Sequence, residues 1–300
     1  MYLTRFYYSL IGVKVYVMVI CELSIHIEVV KMVGTVAVIG TGVIGGAVVK
    51  RLNQEHIVDH VIATRRSVDK IQSLEGSGVE ITSDNSYAVR NADVVFICVK
   101  PGDIGGILDE IKSELDDKLV ISTAAIIPLE FYVSKVPGAR FVRTMPNVSA
   151  FVGESFTAYT CDASVTEEDR NNLKMLLNAL GMHDEVEEKY MDAITGLSGS
   201  GPAYVAIVIE ALMYAGLKVG LPRDLSLQSS AQAVLGAAKL ILDGGFNASQ
   251  IKDMVTTPGG TTIEGIYQLE DGKLRTALMN AVVAATEKCT NISYNWQNEH

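Results

Sequence analysis

Short apolar runs alternate with helical stretches along the first two thirds of the chain. The first run, Val33–Ile39, is rich in β-branched residues and leads through a glycine turn into a helical stretch that ends near Asn53. Continuous apolar runs of this length are typical of strands buried on both faces of a parallel sheet. Further runs lie near 61–64, 79–81, 92–99, 119–122, 141–145 and 155–160. Their alternation with helices predicts an α/β fold with a doubly wound parallel sheet, whose ligands bind at the carboxyl ends of the strands.

The strand pattern disappears from Met191 onward. The segment 203–221 is almost continuously apolar, and Glu210 and Lys218 are its only charged residues. These charges argue against a membrane span. A helix that is apolar on all sides must be buried on all sides, which a domain of about 100 residues can rarely achieve alone. We therefore expect a nucleotide-binding domain over 32–186 and an all-helical dimerisation and substrate domain over 187–300, covered by a second copy of the chain.

A glycine fingerprint follows the first of these strands. Gly40-Thr41-Gly42-Val43-Ile44-Gly45 lies between the strand and the helix, which is the context that a dinucleotide-binding turn requires. Gly40 would form the tight turn, Gly42 would admit the pyrophosphate, and Gly45 would let helix and strand pack closely. The pattern predicts a Rossmann-type cofactor site.

The residues after the second strand indicate which nicotinamide cofactor is used. An acidic residue about twenty positions past the fingerprint would hold the ribose 2′-hydroxyl of NAD. Arg65 and Arg66 stand here instead, and no acid appears before Asp69. Guanidinium groups attract a 2′-phosphate. The sequence therefore favours NADP(H), with NAD(H) as a second candidate.

A proline–glycine bend lies near the carboxyl terminus, in Thr257-Pro258-Gly259-Gly260-Thr261-Thr262-Ile263-Glu264. Thr261 and Glu264 have the spacing of a capping box, which predicts a helix that begins after Thr261. The first amides of such a helix are a suitable site for a small carboxylate. Most capping boxes only cap a helix, so the bend alone does not decide the function.

The three motifs occur together with a glycine-rich stretch, Asp192-Ala193-Ile194-Thr195-Gly196-Leu197-Ser198-Gly199-Ser200-Gly201-Pro202-Ala203-Tyr204. This combination closely resembles the Δ1-pyrroline-5-carboxylate reductase family from about Met32 to about Lys288. The resemblance implies reduction of a cyclic imine carboxylate, 1-pyrroline-5-carboxylate, to proline. It also implies that the helices interlock in a homodimer, from which larger oligomers can be built, and that the glycines of this stretch serve helix packing.

The motifs and the resemblance together give a set of candidate site residues. Cofactor contacts are expected at Gly40, Thr41, Gly42, Val43, Ile44, Gly45, Thr64, Arg65, Arg66, Asn85, Val99, Lys100 and Ala125. Substrate contacts are expected at Glu188, Thr257, Gly260, Thr261 and Thr262, and the Thr262 hydroxyl would be the catalytic group, hydrogen-bonded to the ring nitrogen.

Two features depart from the family pattern. Ile126 stands where the family has a glycine, beside the expected cofactor contact Ala125, so the resemblance does not fix the loop geometry at this position. The family also begins near Met32, which leads to the hypothesis that residues 1–31 come from a start codon assigned too far upstream. An extension particular to this organism is the alternative.

Composition narrows the remaining choices. The formal charge of −10 argues against nucleic acid as a partner. The four cysteines are scattered and suggest neither a metal site nor a disulfide framework, which favours the cytoplasm. The rival interpretations are a related imine or β-hydroxyacid reductase and a dimer that senses dinucleotides without turnover. The second of these reductases would need a lysine in the Gly196–Gly201 region, which has none.

Overall fold

The computed structural model describes residues 4–10, 13–20, 24–28 and 32–299. Near the amino terminus, β1 (Thr4–Leu10), β2 (Val13–Ile20) and β3 (Ser24–Glu28) pair in sequence order as an antiparallel sheet. The remaining residues of the 1–31 segment lie outside the described part of the chain. Whether this segment belongs to the native protein stays a prediction.

A second sheet of eight strands forms the nucleotide half of the molecule. Its strands are β4 (Val33–Ile39), β5 (Val58–Thr64), β6 (Val79–Thr82), β7 (Val94–Ile97), β8 (Leu119–Ser122), β9 (Arg140–Met145), β10 (Ser155–Cys161) and β11 (Gly181–Glu185). Their order is β11-β10-β9-β8-β7-β4-β5-β6, and β9 to β6 are all parallel. The helices between the strands are α1 (Val43–Glu55), α2 (Asn85–Arg90), α3 (Ile104–Ile111), α4 (Leu129–Lys135) and α5 (Glu167–Asn178). The predicted doubly wound architecture is confirmed for this part of the sheet.

The far edge of the sheet differs from the prediction. β10 runs antiparallel to β9, because the connection 146–154 is shorter than the dozen or so residues that a parallel crossover needs. β11 then pairs parallel with β10 and forms the edge. The apolar pattern did not reveal β11, since its sequence Gly-Met-His-Asp-Glu is largely polar. Edge strands commonly carry charged residues, which discourage pairing with other chains.

The core of the nucleotide half consists of two clusters, one on each face of the sheet. One contains the buried faces of α1 and α5, with Leu52 and Leu173 fully buried. The other contains α3 and α4, with Leu108 and Tyr132 fully buried. Burying apolar side chains on both faces supplies the main favourable free energy of folding for this half. It also explains why the strands read as continuous apolar runs.

The carboxyl-terminal half is helical, as predicted. It comprises α6 (Met191–Ile194), a π-helical turn at Thr195–Gly199, α7 (Gly201–Lys218), α8 (Arg223–Leu242), α9 (Ala248–Val255), α10 (Thr261–Asp271) and α11 (Leu274–Glu299). The π-helical turn packs closely on its neighbours. A Cβ on Gly196 would lie 2.8 Å from the backbone nitrogen of Thr286, and one on Gly199 would lie 2.7 Å from Met145 Cε. Gly201 faces open space, so the predicted packing role holds for two of these three glycines.

The helices of this half leave much apolar surface uncovered within one chain. Over the described residues 201–299, Met213 and Cys289 are the only buried hydrophobic side chains. By contrast, Ile207 and Val219 of the α7 region are 66% and 78% exposed. By length and composition alone, Glu188–Lys218 is also apolar enough to cross a membrane. The complete burial expected for α7 is therefore not achieved by a single chain.

Candidate active site

A cleft of about 760 Å³ opens at the carboxyl ends of β4, β5 and β7, where an α/β sheet binds its ligands. Nine of the predicted cofactor residues line it: Gly40, Thr41, Gly42, Thr64, Arg65, Arg66, Asn85, Val99 and Lys100. Val43, Ile44, Gly45 and Ala125 do not line this cleft. The sequence analysis missed a second set of lining residues, namely Ile39, Ser67, Lys70, Ser83, Cys98, Gly102, Asp103, Gly106, Ile107 and Glu110.

The glycine turn has the geometry that was expected of it. Gly40 has φ +87°, and a Cβ there would lie 2.5 Å from Val99 Cγ1. A Cβ on Gly45 would lie 2.5 Å from the Gly40 carbonyl oxygen, so this glycine is needed for close packing of α1 on the turn. No atom lies within 4 Å of a Cβ built on Gly42. The open space at Gly42 is where a diphosphate could approach the backbone.

Two further observations fit a nucleotide at this turn. α1 begins at Val43 after Gly42, and no side chain caps its first amides. Such amides attract phosphate groups. In addition, Thr41 Oγ1 is the single buried side-chain nitrogen or oxygen in the described part of the chain that has no hydrogen-bond partner. An unpaired buried hydroxyl is costly and is expected to find a partner when a ligand is bound.

Cations gather at the end of the cleft that follows β5. Arg65 Nη1 donates a hydrogen bond of 2.8 Å to the Thr41 carbonyl, which fixes this guanidinium beside the glycine turn. Arg66 is 93% exposed, and its Nη2 lies 3.8 Å from Asp103 Oδ2. Lys70 lines the same end. Three cationic side chains around one space fit a 2′-phosphate better than a free hydroxyl.

A hydrogen-bonded chain crosses the cleft from the sheet to α3. Thr64 Oγ1 donates to Asn85 Oδ1 at 2.6 Å, and Asn85 Nδ2 donates to both carboxylate oxygens of Glu110 at 3.2 and 3.1 Å. Because Asn85 accepts on its oxygen from Thr64 and donates from its nitrogen to Glu110, the orientation of its amide is fixed. The sequence holds a signal for this wall, because Asp103, Ile107 and Glu110 recur at helical spacing.

The strand ends beside the cleft carry few reactive groups. Burial raises the pKa of Cys98 to about 12, against the opposing effect of a hydrogen bond with Thr123. This thiol therefore stays protonated near neutral pH. Lys100 is exposed after β7. Ile126 adopts φ +69°, the left-handed conformation that a glycine takes easily. The backbone thus has a glycine-like conformation at this position although the side chain differs.

The proline–glycine bend leads into α10, but the predicted capping box is wrong. The N-cap is Gly260, with φ −78° and ψ 168°, and no side chain caps the helix. The capping-box spacing implied that Thr261 is the N-cap, but Thr261 is already the first helical residue. The N-cap lies one residue earlier, since Gly259 turns the chain in the left-handed region at φ +69°. The Gly260 amide donates to the Thr257 carbonyl at 3.0 Å. Because no side chain caps α10, the amides of Thr261 and Thr262 in its first turn remain available to an anion.

The bend and the cleft are separate within one chain. None of Thr257, Gly260, Thr261 and Thr262 lines the cleft. The hydrogen bonds of the bend in the described structure are local, as in the bond from Thr256 Oγ1 to the Lys252 carbonyl. A single copy of the chain therefore does not bring the predicted substrate contacts to the cofactor residues.

Glu188 lies at the junction between the two halves. Its Oε1 accepts hydrogen bonds from the Leu129 amide at 2.8 Å and from Arg143 Nη1 at 2.9 Å. Arg143 is buried, and its Nη2 lies 3.8 Å from Asp192 Oδ1. These contacts join α4, β9 and α6. The role of Glu188 at the substrate stays a prediction, and its carboxylate has a structural role at the junction as well.

The fold and the cleft together define a class: a two-domain nucleotide-dependent oxidoreductase with an amino-terminal Rossmann-type half and a helical half. Two family models match accordingly. "NADP oxidoreductase coenzyme F420-dependent" matches residues 35–126, and "Pyrroline-5-carboxylate reductase dimerisation" matches residues 188–292.

Relatives that match most of the chain identify the family. A pyrroline-5-carboxylate reductase from Glycine max is 45% identical over 222 residues, covering 74% of this chain and 81% of that relative. One from Methanosarcina acetivorans is 39% identical, covering 83% and 94%. The crystal structure of Plasmodium falciparum pyrroline carboxylate reductase with NADP bound matches with a TM-score of 0.79 and 30% identity, covering 88% and 100%. The chain belongs to the pyrroline-5-carboxylate reductase family, as the motifs predicted.

Proposed function

We propose that this protein reduces 1-pyrroline-5-carboxylate to L-proline, the last step of proline biosynthesis, with NADPH as the preferred reductant and NADH as a second candidate. The uncapped start of α10 carries the proposal. Many dehydrogenases have a glycine cleft, whereas a proline–glycine bend with free amides is suited to a small carboxylate substrate. The bend also lies inside the segment that matches the reductase dimerisation model.

The bend would hold the substrate by its carboxylate. The backbone amides of Thr261 and Thr262 supply donors at the positive end of α10, while the Gly260 amide would have to leave the Thr257 carbonyl to join them. Thr257 adds a hydroxyl to the same bend. Glu188 stays a candidate contact, since its Oε2 takes no hydrogen bond from the described residues. These groups would orient a flat ring, and the orientation of two reactants accounts for much of the barrier lowering in such reactions.

Thr262 is proposed as the group that contacts the ring nitrogen. Its side chain is half-buried in the first turn of α10. No histidine belongs to these motifs. His183 lies on β11, where burial and the charge of Lys174 lower its pKa. We therefore assign the proton on the nitrogen to solvent, with the Thr262 hydroxyl holding the protonated ring in place.

The cofactor would bind along the cleft. Reduced nicotinamide, when bound, supplies the hydride that goes to the imine carbon. The turn Gly40–Gly45 would hold the diphosphate, while Arg65 and Arg66 would hold the 2′-phosphate. Asn85 and Thr64 would contact the adenosine half, and Val99, Lys100 and Ala125 would lie toward the nicotinamide.

We propose that the complete site forms between two copies of the chain. The apolar surface around Ile207 and Val219 needs a partner, and a second copy of the helical half would cover it. The bend of one copy could then face the cleft of the other. This proposal gives a homo-oligomer built from dimers, without nucleic acid or membrane, and we place it in the cytoplasm. The acidic net charge and the relation to other reductases of this family support these assignments.

The main test compares two threonines near the bend. We expect Thr262→Ala to lower kcat/KM for pyrroline-5-carboxylate by roughly ten- to a hundredfold, the value of one good hydrogen bond to a charged group. Thr256→Ala is the matched control, because its hydroxyl bonds only the Lys252 carbonyl. NADPH oxidation measured at 340 nm reports both.

Unchanged kinetics of Thr262→Ala would remove this residue from the site. Cofactor binding without any turnover would favour the dinucleotide-sensing alternative. Faster turnover of imines that lack the carboxylate, or of rings of another size, would favour a general imine reductase.

A further inference from the structure

The two walls of the cofactor cleft carry opposite charges. The wall after β5 contributes the cations Arg65, Arg66 and Lys70, and α3 with its N-cap contributes the carboxylates Glu110 and Asp103; Lys100, just before that N-cap, adds one cation to the lining. The carboxylates are unexpected in a site for a phosphorylated nucleotide, since they repel phosphate. Their contacts show which of them can influence the ligand.

The charged groups of Glu110 and Arg65 already have hydrogen-bond partners within the cleft wall. Both oxygens of the Glu110 carboxylate accept from the Asn85 amide, and Arg65 donates to the Thr41 carbonyl. Asp103 differs, because its carboxylate forms no cap on α3. Within the described residues its side chain has one ion-pair partner, the exposed Arg66 on the opposite wall.

The Arg66–Asp103 pair is weak. The two side chains are 93% and 46% exposed, and their charged atoms are 3.8 Å apart. Pairs of this kind contribute little to stability and are screened by salt. A phosphate group carries more charge than a carboxylate and accepts two hydrogen bonds from one guanidinium. The phosphate would therefore displace the Asp103 carboxylate from Arg66, but the competition would lower its net affinity for the cleft.

We propose that Asp103 lowers the preference of this enzyme for NADP(H) over NAD(H) by competing with the 2′-phosphate of NADP(H) for Arg66. The inference rests on the proposed function. Asp103 weakens the binding of the 2′-phosphate in two ways, since it holds Arg66 across the mouth of the cleft and repels the incoming anion. A cofactor that lacks this phosphate meets neither effect. Asp103 thus narrows the difference in affinity between NADP(H) and NAD(H).

The test measures the dissociation constants of NADP⁺ and NAD⁺ by titration calorimetry on the full chain. We expect Asp103→Asn to tighten NADP⁺ binding roughly three- to tenfold and to change NAD⁺ binding by less than about twofold. The gain should shrink between about 0.05 and 0.5 M salt, because exposed charges are screened. In an Arg66→Ala background, we expect the gain from Asp103→Asn to fall to about twofold or less.

The matched control is Asp109→Asn, which removes the same charge from α3 itself, six residues after its N-cap Asp103. Asp109 lies outside the cleft and pairs with Lys135 at 3.0 Å and Lys112 at 3.7 Å. It should leave both dissociation constants within about twofold of the wild type.

Three outcomes would overturn the inference. An equal gain for NADP⁺ from Asp103→Asn and Asp109→Asn would point to net charge alone. An equal gain with and without Arg66 would exclude competition for that side chain. An equal gain for both cofactors would exclude the 2′-phosphate. If the wild type bound neither cofactor, the proposed function itself would fail.

Discussion

The two halves of this molecule bury their apolar residues differently. Over 33–180 the sheet is covered on both faces, and the two core clusters include strands, helices and connecting loops of the same chain. Over 201–299 the three longest helices have 18 to 26 residues, yet just two of the hydrophobic side chains in this range are buried. The first half builds its core almost entirely from its own residues, to which α11 adds Cys289. The second half has as many apolar side chains as a core requires, but a single copy of the chain does not bury them.

This difference suggests how function is divided between the halves. The nucleotide half carries a cleft whose lining residues all lie between Ile39 and Glu110. The helical half carries the proline–glycine bend, which does not line that cleft, and leaves apolar side chains of the α7 region exposed. A large exposed apolar patch marks an interaction site. Assembly would therefore complete the hydrophobic core and the active site in a single step.

The largest effect is expected from a charge placed on the uncovered surface of the helical half. Ile207→Glu puts a carboxylate at a side chain that is 66% exposed in one chain. If a partner buries this position, the charge prevents assembly, and we expect kcat/KM to fall below about a hundredth of the wild type. Light scattering should show the loss of the dimer.

The matched control for this variant lies in the other half. Met182 on β11 is 57% exposed and belongs to the half that needs no partner for its core. We expect Met182→Glu to keep its oligomeric state, with activity within about twofold of the wild type. A dimeric and active Ile207→Glu variant would contradict the proposed interface.

In the nucleotide half, a smaller effect is expected at the close contact between α1 and the glycine turn. In Gly45→Ala the new Cβ lies 2.5 Å from the Gly40 carbonyl, and we expect a loss of about 1–3 kcal/mol in the free energy of unfolding. In Gly46→Ala the Cβ meets nothing within 4 Å, so the helix should gain up to about 1 kcal/mol. Urea unfolding followed by circular dichroism measures both.

Both glycine variants should stay dimeric, because the change lies in the half that folds around its own core. Equal effects of Gly45→Ala and Gly46→Ala on stability would show that the tight packing at Gly45 is not needed.

The smallest effect concerns the left-handed backbone at Ile126. Ile126 and Ile127 are both buried, at 8% and 0% exposure, but only Ile126 has a positive φ. Removing either side chain leaves a cavity, while glycine at 126 also relieves strain. We expect Ile126→Gly to cost about 1–2 kcal/mol less than Ile127→Gly in the free energy of unfolding. An equal or larger cost at 126 would argue against strain there.

Much of the nucleotide half could be predicted from the sequence because its signals are local. Apolar runs marked the inner strands, and Gly40, Gly42 and Gly45 marked the turn. The polar strand β11 was missed, since a strand at the edge of a sheet needs no apolar pattern. The cap of α10 was misplaced by one residue, because the left-handed turn at Gly259 outweighed the spacing of Thr261 and Glu264.

The sequence by itself determined the alternation of the inner strands with helices, the family, and which residues form the glycine turn and the basic end of the cleft. These features depend on neighbouring residues, whose spacing can be read directly. Only the tertiary structure decided that Asp103 and Glu110 face the cations across the cleft, that Glu188 meets Arg143 at the junction, and that α7 remains uncovered. These features depend on residues that are distant in sequence and meet only when the sheet and the helices pack.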